Sequence, residues 1–153
     1  MLEAISKAEY KLNLFGPGWN KVIYNLSPKS PLKNKLPISP VIDEEYRYAI
    51  SGAKVALCFL SKLNFDTYTR RNFQIPAMRT AMLSEWSEDL SKLFTETKDC
   101  DFFRDKSELI KKLEKLILNH NYRLNVGNSG YYKVYQDGHS VDERMKLLKK
   151  ILS

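Results

Sequence analysis

The chain is poor in the residues that build metal and disulfide sites: it has two cysteines and two histidines. Cys58 sits in the apolar run "VALCFL" and Cys100 in "DCDFF". Two such distant thiols make neither a disulfide framework nor a four-ligand zinc site, so both read as small core residues. His120 and His139 share no ligand spacing, which removes a histidine-based metal centre; His139 reads as a helix-boundary residue, with reach into a ligand cleft as the minor alternative. No apolar run reaches the roughly 18 residues that mark a membrane span. The opening "MLEAISKAEY" lacks the cationic start, apolar core and small-residue cleavage site of a secretion signal, so the default expectation is a cytoplasmic protein.

What is present fits a soluble globular chain, with 43% hydrophobic and 28% charged residues. Its length predicts a single domain over 1–153 with its own core, closed by an amphipathic helix over 140–152. A formal charge of +7 favours anionic partners. Nucleic acid, a membrane surface and a nucleotide phosphate all remain open on charge alone.

Residues 1–9 predict a short helix. "KLNLFG" (Lys11 to Gly16) alternates polar with apolar before "GPGW" and predicts a strand running into a tight loop. "SPKSPLKNKLPISP" carries four prolines and no helical period, so it reads as a loop or a short edge strand. In "VIDEEYRYAISGA", Asp43 predicts an N-cap and Gly52 the far end. "KVALCFL" predicts a strand covered on both faces, as in the middle of a parallel sheet. "AMLS" and "DCDFF" predict further strands around the helix "SEDLSKLF". "DKSELIKKLEKLILNH" places Leu109, Leu113, Leu116 and Ile117 on one stripe, with Asp105 or Ser107 as cap. "NYRLNVGNSGYYKVYQDG" reads as a less regular helical stretch interrupted by glycines, and "SVDERMKLLKKILS" as an amphipathic helix capped by Ser140.

Strands alternating with helices predict an α/β fold, a Rossmann-like open parallel sheet flanked by helices, with ligands outside the C-terminal ends of the strands. Two loops then qualify as a site: "GPGWNK", holding Gly16 and Gly18, and "SKLNFDTYTRRN". In the second, Pro76 belongs in a first helical turn, so a helix should begin around Asn72 to Gln74 with Arg71 at its N-terminus. Free N–H groups, the helix dipole and an arginine fork together suit a phosphate. Thr69 and Asn72 offer neutral donors, and Asp66 and Gln74 offer groups that suit sugar hydroxyls. The bland alternative is an exposed basic loop with a capping threonine.

The order Asp66, Thr69, Arg71, Phe73, Gln74, Pro76, Ala77 in "DTYTRRNFQIPA" resembles a motif of the spore-maturation CgeB-like glycosyltransferases. The likeness extends to "LFGPGW", "AKVALCFL", "LSEWSEDLSKLF" and "HSVDER", and so covers most of the chain. It implies the donor-binding C-terminal half of a two-domain GT-B glycosyltransferase, binding a nucleotide-sugar with no cofactor and no metal. By that resemblance Arg71 would contact the diphosphate, and Asp66 with Gln74 would contact donor hydroxyls at the interval of the paired glutamates of many retaining GT-B enzymes. The acceptor half, supplied in cis or in trans, lies outside the resemblance, and the chain is expected to be a fragment of a longer protein.

The chain departs from that pattern at Gln74, where the family usually has glutamate, and at Met78 and Arg79, which replace a pair usually ending in glycine. "DCD" at Asp99 to Asp101 fits the D-x-D metal pattern of the other major glycosyltransferase fold, but it falls where the resemblance needs sheet. A non-enzymatic nucleic-acid module with Tyr68 and Phe73 beside the basic loop is the competing reading, and a degenerate scaffold is a third.

Overall fold

The computed structural model describes residues 1–8 and 10–152. Glu9, the end of the expected first helix, and Ser153 lie outside the described residues. The chain divides into two compact units, Met1–Ala49 and Ile50–Ser153.

The first unit holds α1 (Leu2–Lys7), α2 (Trp19–Tyr24) and a 3-10 turn over Pro31–Lys35. Ile5, Leu12, Ile23, Leu32 and Ile38 are buried. Side chains do the tying that short elements cannot. Asn20 brackets Ile38, donating to its carbonyl at 2.8 Å and accepting from its N–H at 2.7 Å. Ser30 donates to Glu3 at 2.6 Å. The strand expected over Lys11 to Gly16 does not form. Alternation alone supplies no partner strand, and here Leu12 to Phe15 instead line an open hollow of about 500 Å³ with residues such as Asn34 and Lys35. The proline-rich segment is a loop around the 3-10 turn, without an edge strand.

Helix α3 (Asp43–Ser51) leads into the second unit. Asp43 is its first helical residue rather than the residue before it, and Gly52 follows its end as expected. Three parallel strands follow in the order β1 (Val55–Cys58), β2 (Ala81–Glu85), β3 (Asp101–Phe103). The α/β fold with an open parallel sheet is therefore present, but β1, expected in the middle, lies at the edge and β2 is central. The burial of β1 alternates accordingly, with Ala56 and Cys58 covered and Val55 and Leu57 partly open.

Register sets the two faces. Ala56 pairs with Met82, Cys58 with Ser84, and Ser84 with Phe102, so these side chains share one face; Leu57, Leu83 and Asp101 share the other. The first face, with Ile75 of α4 (Arg71–Ala77), Leu90 of α5 (Glu88–Leu93), Phe94 and Val134, forms the main core. The leucine stripe of α6 (Lys106–Leu118) is buried at Leu109, Leu113 and Leu116 as its period predicts, and Asp105 caps it by accepting from the Glu108 N–H at 2.9 Å.

The glycine-bearing stretch forms one continuous helix, α7 (His120–Gln136), not an interrupted one. Its glycines are contact points rather than breaks. A Cβ on Gly127 would lie 2.4 Å from the Arg79 carbonyl oxygen, and one on Gly130 would lie 2.6 Å from that of Asp99. Only bare backbone passes so close to other backbone. The chain ends in α8 (Val141–Leu152), with Ser140 Oγ 3.3 Å from the Glu143 N–H. No helix among the described residues is long and apolar enough to cross a membrane.

Candidate functional site

The second unit offers the open edge that a parallel sheet presents where its strands end. The loop from Phe59 to Arg70 follows β1 there and runs into α4. Its base is closed by Asp66, whose N–H donates to the Ser61 carbonyl at 3.0 Å while its Oδ2 accepts from the Ser61 N–H at 3.4 Å. Glu85, the last residue of β2, holds the near side. Its Oε2 accepts from the Leu60 N–H at 3.1 Å and its Oε1 pairs with Lys62 at 2.6 Å. The far side is held by Ser87, which donates to the Thr67 carbonyl and caps α5 through the Leu90 N–H at 3.1 Å.

Asn72 ties the end of this loop to the sheet. It is fully buried. Its Oδ1 accepts from the Thr69 N–H at 2.8 Å, and its Nδ2 donates to Ser84 Oγ at 2.9 Å and faces Met82 Sδ at 3.6 Å. Thr69 Oγ1 lies 3.4 Å from the same Oδ1 and 3.7 Å from Cys58 Sγ. A buried amide that serves both its donor and its acceptor side costs little to bury and fixes the geometry of what it joins. Burial pushes the Cys58 thiol above its ordinary range, so it is protonated at neutral pH.

This scaffold starts α4 earlier than Pro76 alone implies. The helix opens at Arg71, and Pro76 is the sixth of its seven residues rather than part of its first turn. Arg70 and Arg71 stand exposed at that opening and form no ion pair among the described residues. Gln74 lies one turn on and is half-buried. Beyond the loop tip, Leu63 and Phe65 are 92% and 89% exposed, and Phe65 holds a φ of +53°, a conformation costly for an aromatic residue.

Aromatic rings gather around Phe73 of α4. Phe73 meets Tyr68 edge-on at 6.0 Å, Phe94 at 5.8 Å and the imidazole of His139 at 4.8 Å between centroids.

A family model described as glycosyl transferase-like matches residues 1–150. The chain belongs to this glycosyl transferase-like family. No curated protein and no solved structure matches it.

In this glycosyltransferase-like chain, four of the six residues singled out from sequence fall together: Asp66 and Thr69 anchor the loop, while Arg71 and Gln74 lie on the helix it leads into. Gly16 and Gly18 belong to the first unit, where φ values of +120° and +87° make glycine the fitting residue; Gly18 caps α2. Because no strand precedes them among the described residues, the expectation of a loop after a first strand fails for this pair.

Sequence reasoning overlooked Glu85 and the central part played by Asn72. A carboxylate closing a strand and an amide directly after two arginines were the available signals. Asp99 and Asp101 turn inward. Asp99 accepts from the Thr95 N–H at 3.1 Å, and Asp101 from the Tyr122 hydroxyl at 2.8 Å, and burial pushes the Asp101 carboxyl up. Among the described residues no group of three or more His, Cys, Asp or Glu side chains is arranged to hold a metal.

Proposed function

We propose that this chain binds the nucleotide-sugar donor of a glycosyltransferase of the two-domain GT-B, CgeB-like type. The transfer reaction would be completed by an acceptor-binding half supplied in cis or in trans. The observation that carries the reading is the pair of exposed arginines, Arg70 and Arg71, which form no ion pair among the described residues and are held at the open edge of the sheet by a loop tied down at both ends.

Arg71 is the diphosphate ligand in this reading. Its guanidinium supplies parallel N–H donors, and stabilising the charge that builds on the departing diphosphate is the protein's main contribution to transfer. Gln74 and Asp66 serve donor hydroxyls, Gln74 as a neutral hydrogen-bonding group and Asp66 after its carboxylate has oriented the loop. The membership of the chain in a glycosyl transferase-like family supports a sugar donor and an acceptor as the substrates. A cytoplasmic location goes with the reading.

Calorimetric titration with UDP, GDP, ADP, dTDP and their sugar conjugates tests it. One base should bind saturably, and Arg71→Ala should weaken that binding roughly 10- to 100-fold, the value of a charge-assisted hydrogen bond. The exposed Phe65 and Tyr68 beside Arg70 and Arg71 favour one competitor, stacking on single-stranded nucleic acid. Oligonucleotide binding that falls steeply with salt, without nucleotide-sugar binding, would replace the donor reading with that one.

A further inference from the structure

His139 stands at the junction of α7 and α8, where the backbone leaves it no freedom. Gly138 takes a φ of +67°, its N–H donates to the Tyr135 carbonyl at 3.3 Å, and the His139 N–H donates to the Val134 carbonyl at 3.0 Å. These two bonds make a Schellman cap, which fixes where the residue after the glycine must go. The imidazole packs at 4.8 Å on Phe73, the residue between Asn72 and Gln74 in α4, and is half-buried.

The tautomer follows from its neighbour. Arg144 lies 2.7 Å from His139 Nδ1, and a guanidinium can only donate. Nδ1 therefore accepts, and the ring proton sits on Nε2. Burial first, and then the Arg144 charge, hold the ring below its ordinary titration range, so it is neutral at physiological pH. Lys133 adds to that effect; Asp137 opposes it but is itself paired with Lys133 at 2.7 Å. Among the described residues nothing accepts a hydrogen bond from Nε2. The fold has spent a helix cap, a ring contact and an arginine on orienting one N–H beside the helix that opens with Arg70 and Arg71.

We propose that the Nε2–H of His139 donates a hydrogen bond to a phosphate oxygen of the donor diphosphate. The inference rests on the donor-site reading above. An oxygen acceptor is required because the ring is neutral and presents only a donor. An anionic one is favoured because Arg144 faces the ring and because Arg70 and Arg71 begin the helix whose Phe73 packs against it.

Three substitutions separate this role from a packing role. Gln can place an amide N–H near the position of Nε2. Asn reaches only to the position of Nδ1, and Phe keeps the ring contact with Phe73 while removing both nitrogens. Calorimetry is run on the full chain with the nucleoside diphosphate selected by the wild type, and melting curves confirm that each variant folds. His139→Phe and His139→Asn should each weaken binding about tenfold, and His139→Gln should stay within about twofold of wild type. Nitrogen-proton correlation spectra of the wild-type imidazole should show the Nε2–H tautomer at pH 7.5. Wild-type affinity in His139→Phe, equal loss in the Gln and Phe variants, or an Nδ1–H tautomer would overturn the proposal while leaving the donor site standing. A wild type that binds none of the nucleotides would overturn the donor reading itself, and this inference with it.

Discussion

Helices α4 and α6 both pack on the parallel sheet, α4 on β1 and β2 and α6 on all three strands, but owe their existence to different things. Helix α6 carries its own instructions: a leucine on every turn, an aspartate cap, and Glu108 within reach of Lys112 one turn on. Helix α4 has seven residues, no side-chain cap and a proline in its second turn, and its sequence alone would not keep it helical. It is held from outside. Asn72 fastens its first turn to Met82 and Ser84, while α7 passes its far end with bare glycine backbone against Arg79 and a Gly130 whose Cβ would sit 3.0 Å from that of Pro76. The helix carrying the exposed arginines is thus placed by the core, so the geometry of the candidate site and the integrity of the sheet cannot vary separately.

Substitutions that attack each kind of support sharpen this contrast. The largest loss is expected from Gly127→Ala. Alanine favours a helix by about 1 kcal/mol. The new methyl would nonetheless meet a backbone oxygen that no rotamer change can clear, so denaturant unfolding should show a net destabilisation of about 3 kcal/mol. A gain in stability would mean that α7 and the Arg79 turn are looser than their contact distance implies. Asn72→Ala should cost about 2 kcal/mol by the same measurement, because it strands the Thr69 N–H and leaves Ser84 without its donor. It should also increase amide hydrogen exchange across Thr69 to Gln74 while α6 stays protected; equal exchange in both helices would erase the distinction. Asp105→Ala should be mildest, at about 1 kcal/mol, and its effect should stay within the first turn of α6.

The same contrast explains what was legible in the sequence. Helix α6, the three strands and the caps at Asp105 and Ser140 follow from period and from residues a few positions apart, and all appear where that local pattern puts them. The loop with its arginines was also visible, since composition and spacing set it apart. Three features depended on residues far apart in the chain. Pro76 pointed to a later helix start than the one Asn72 imposes through Ser84, twelve positions on. Gly127 and Gly130 looked like interruptions because the carbonyls they pass belong to Arg79 and Asp99. "KLNLFG" alternates as a strand would, yet pairing needs a neighbouring strand, and the described residues of the first unit hold none. In the site itself, the residue types were readable, but the division between anchors (Asp66, Thr69, Asn72) and exposed groups (Arg70, Arg71) was not, because the side chain of Asn72 decides it.

The two cysteines have a practical side. Both are buried, and burial raises the thiol pKa of each, with neighbouring carboxylates adding to the effect at Cys100. A thiolate-directed reagent added to the folded chain meets almost no reactive sulfur. The native sequence is therefore a ready blank for single-site labelling. One cysteine placed at the solvent-facing Leu63 would carry a fluorophore or spin label at the tip of the loop and report its motion without first removing Cys58 or Cys100.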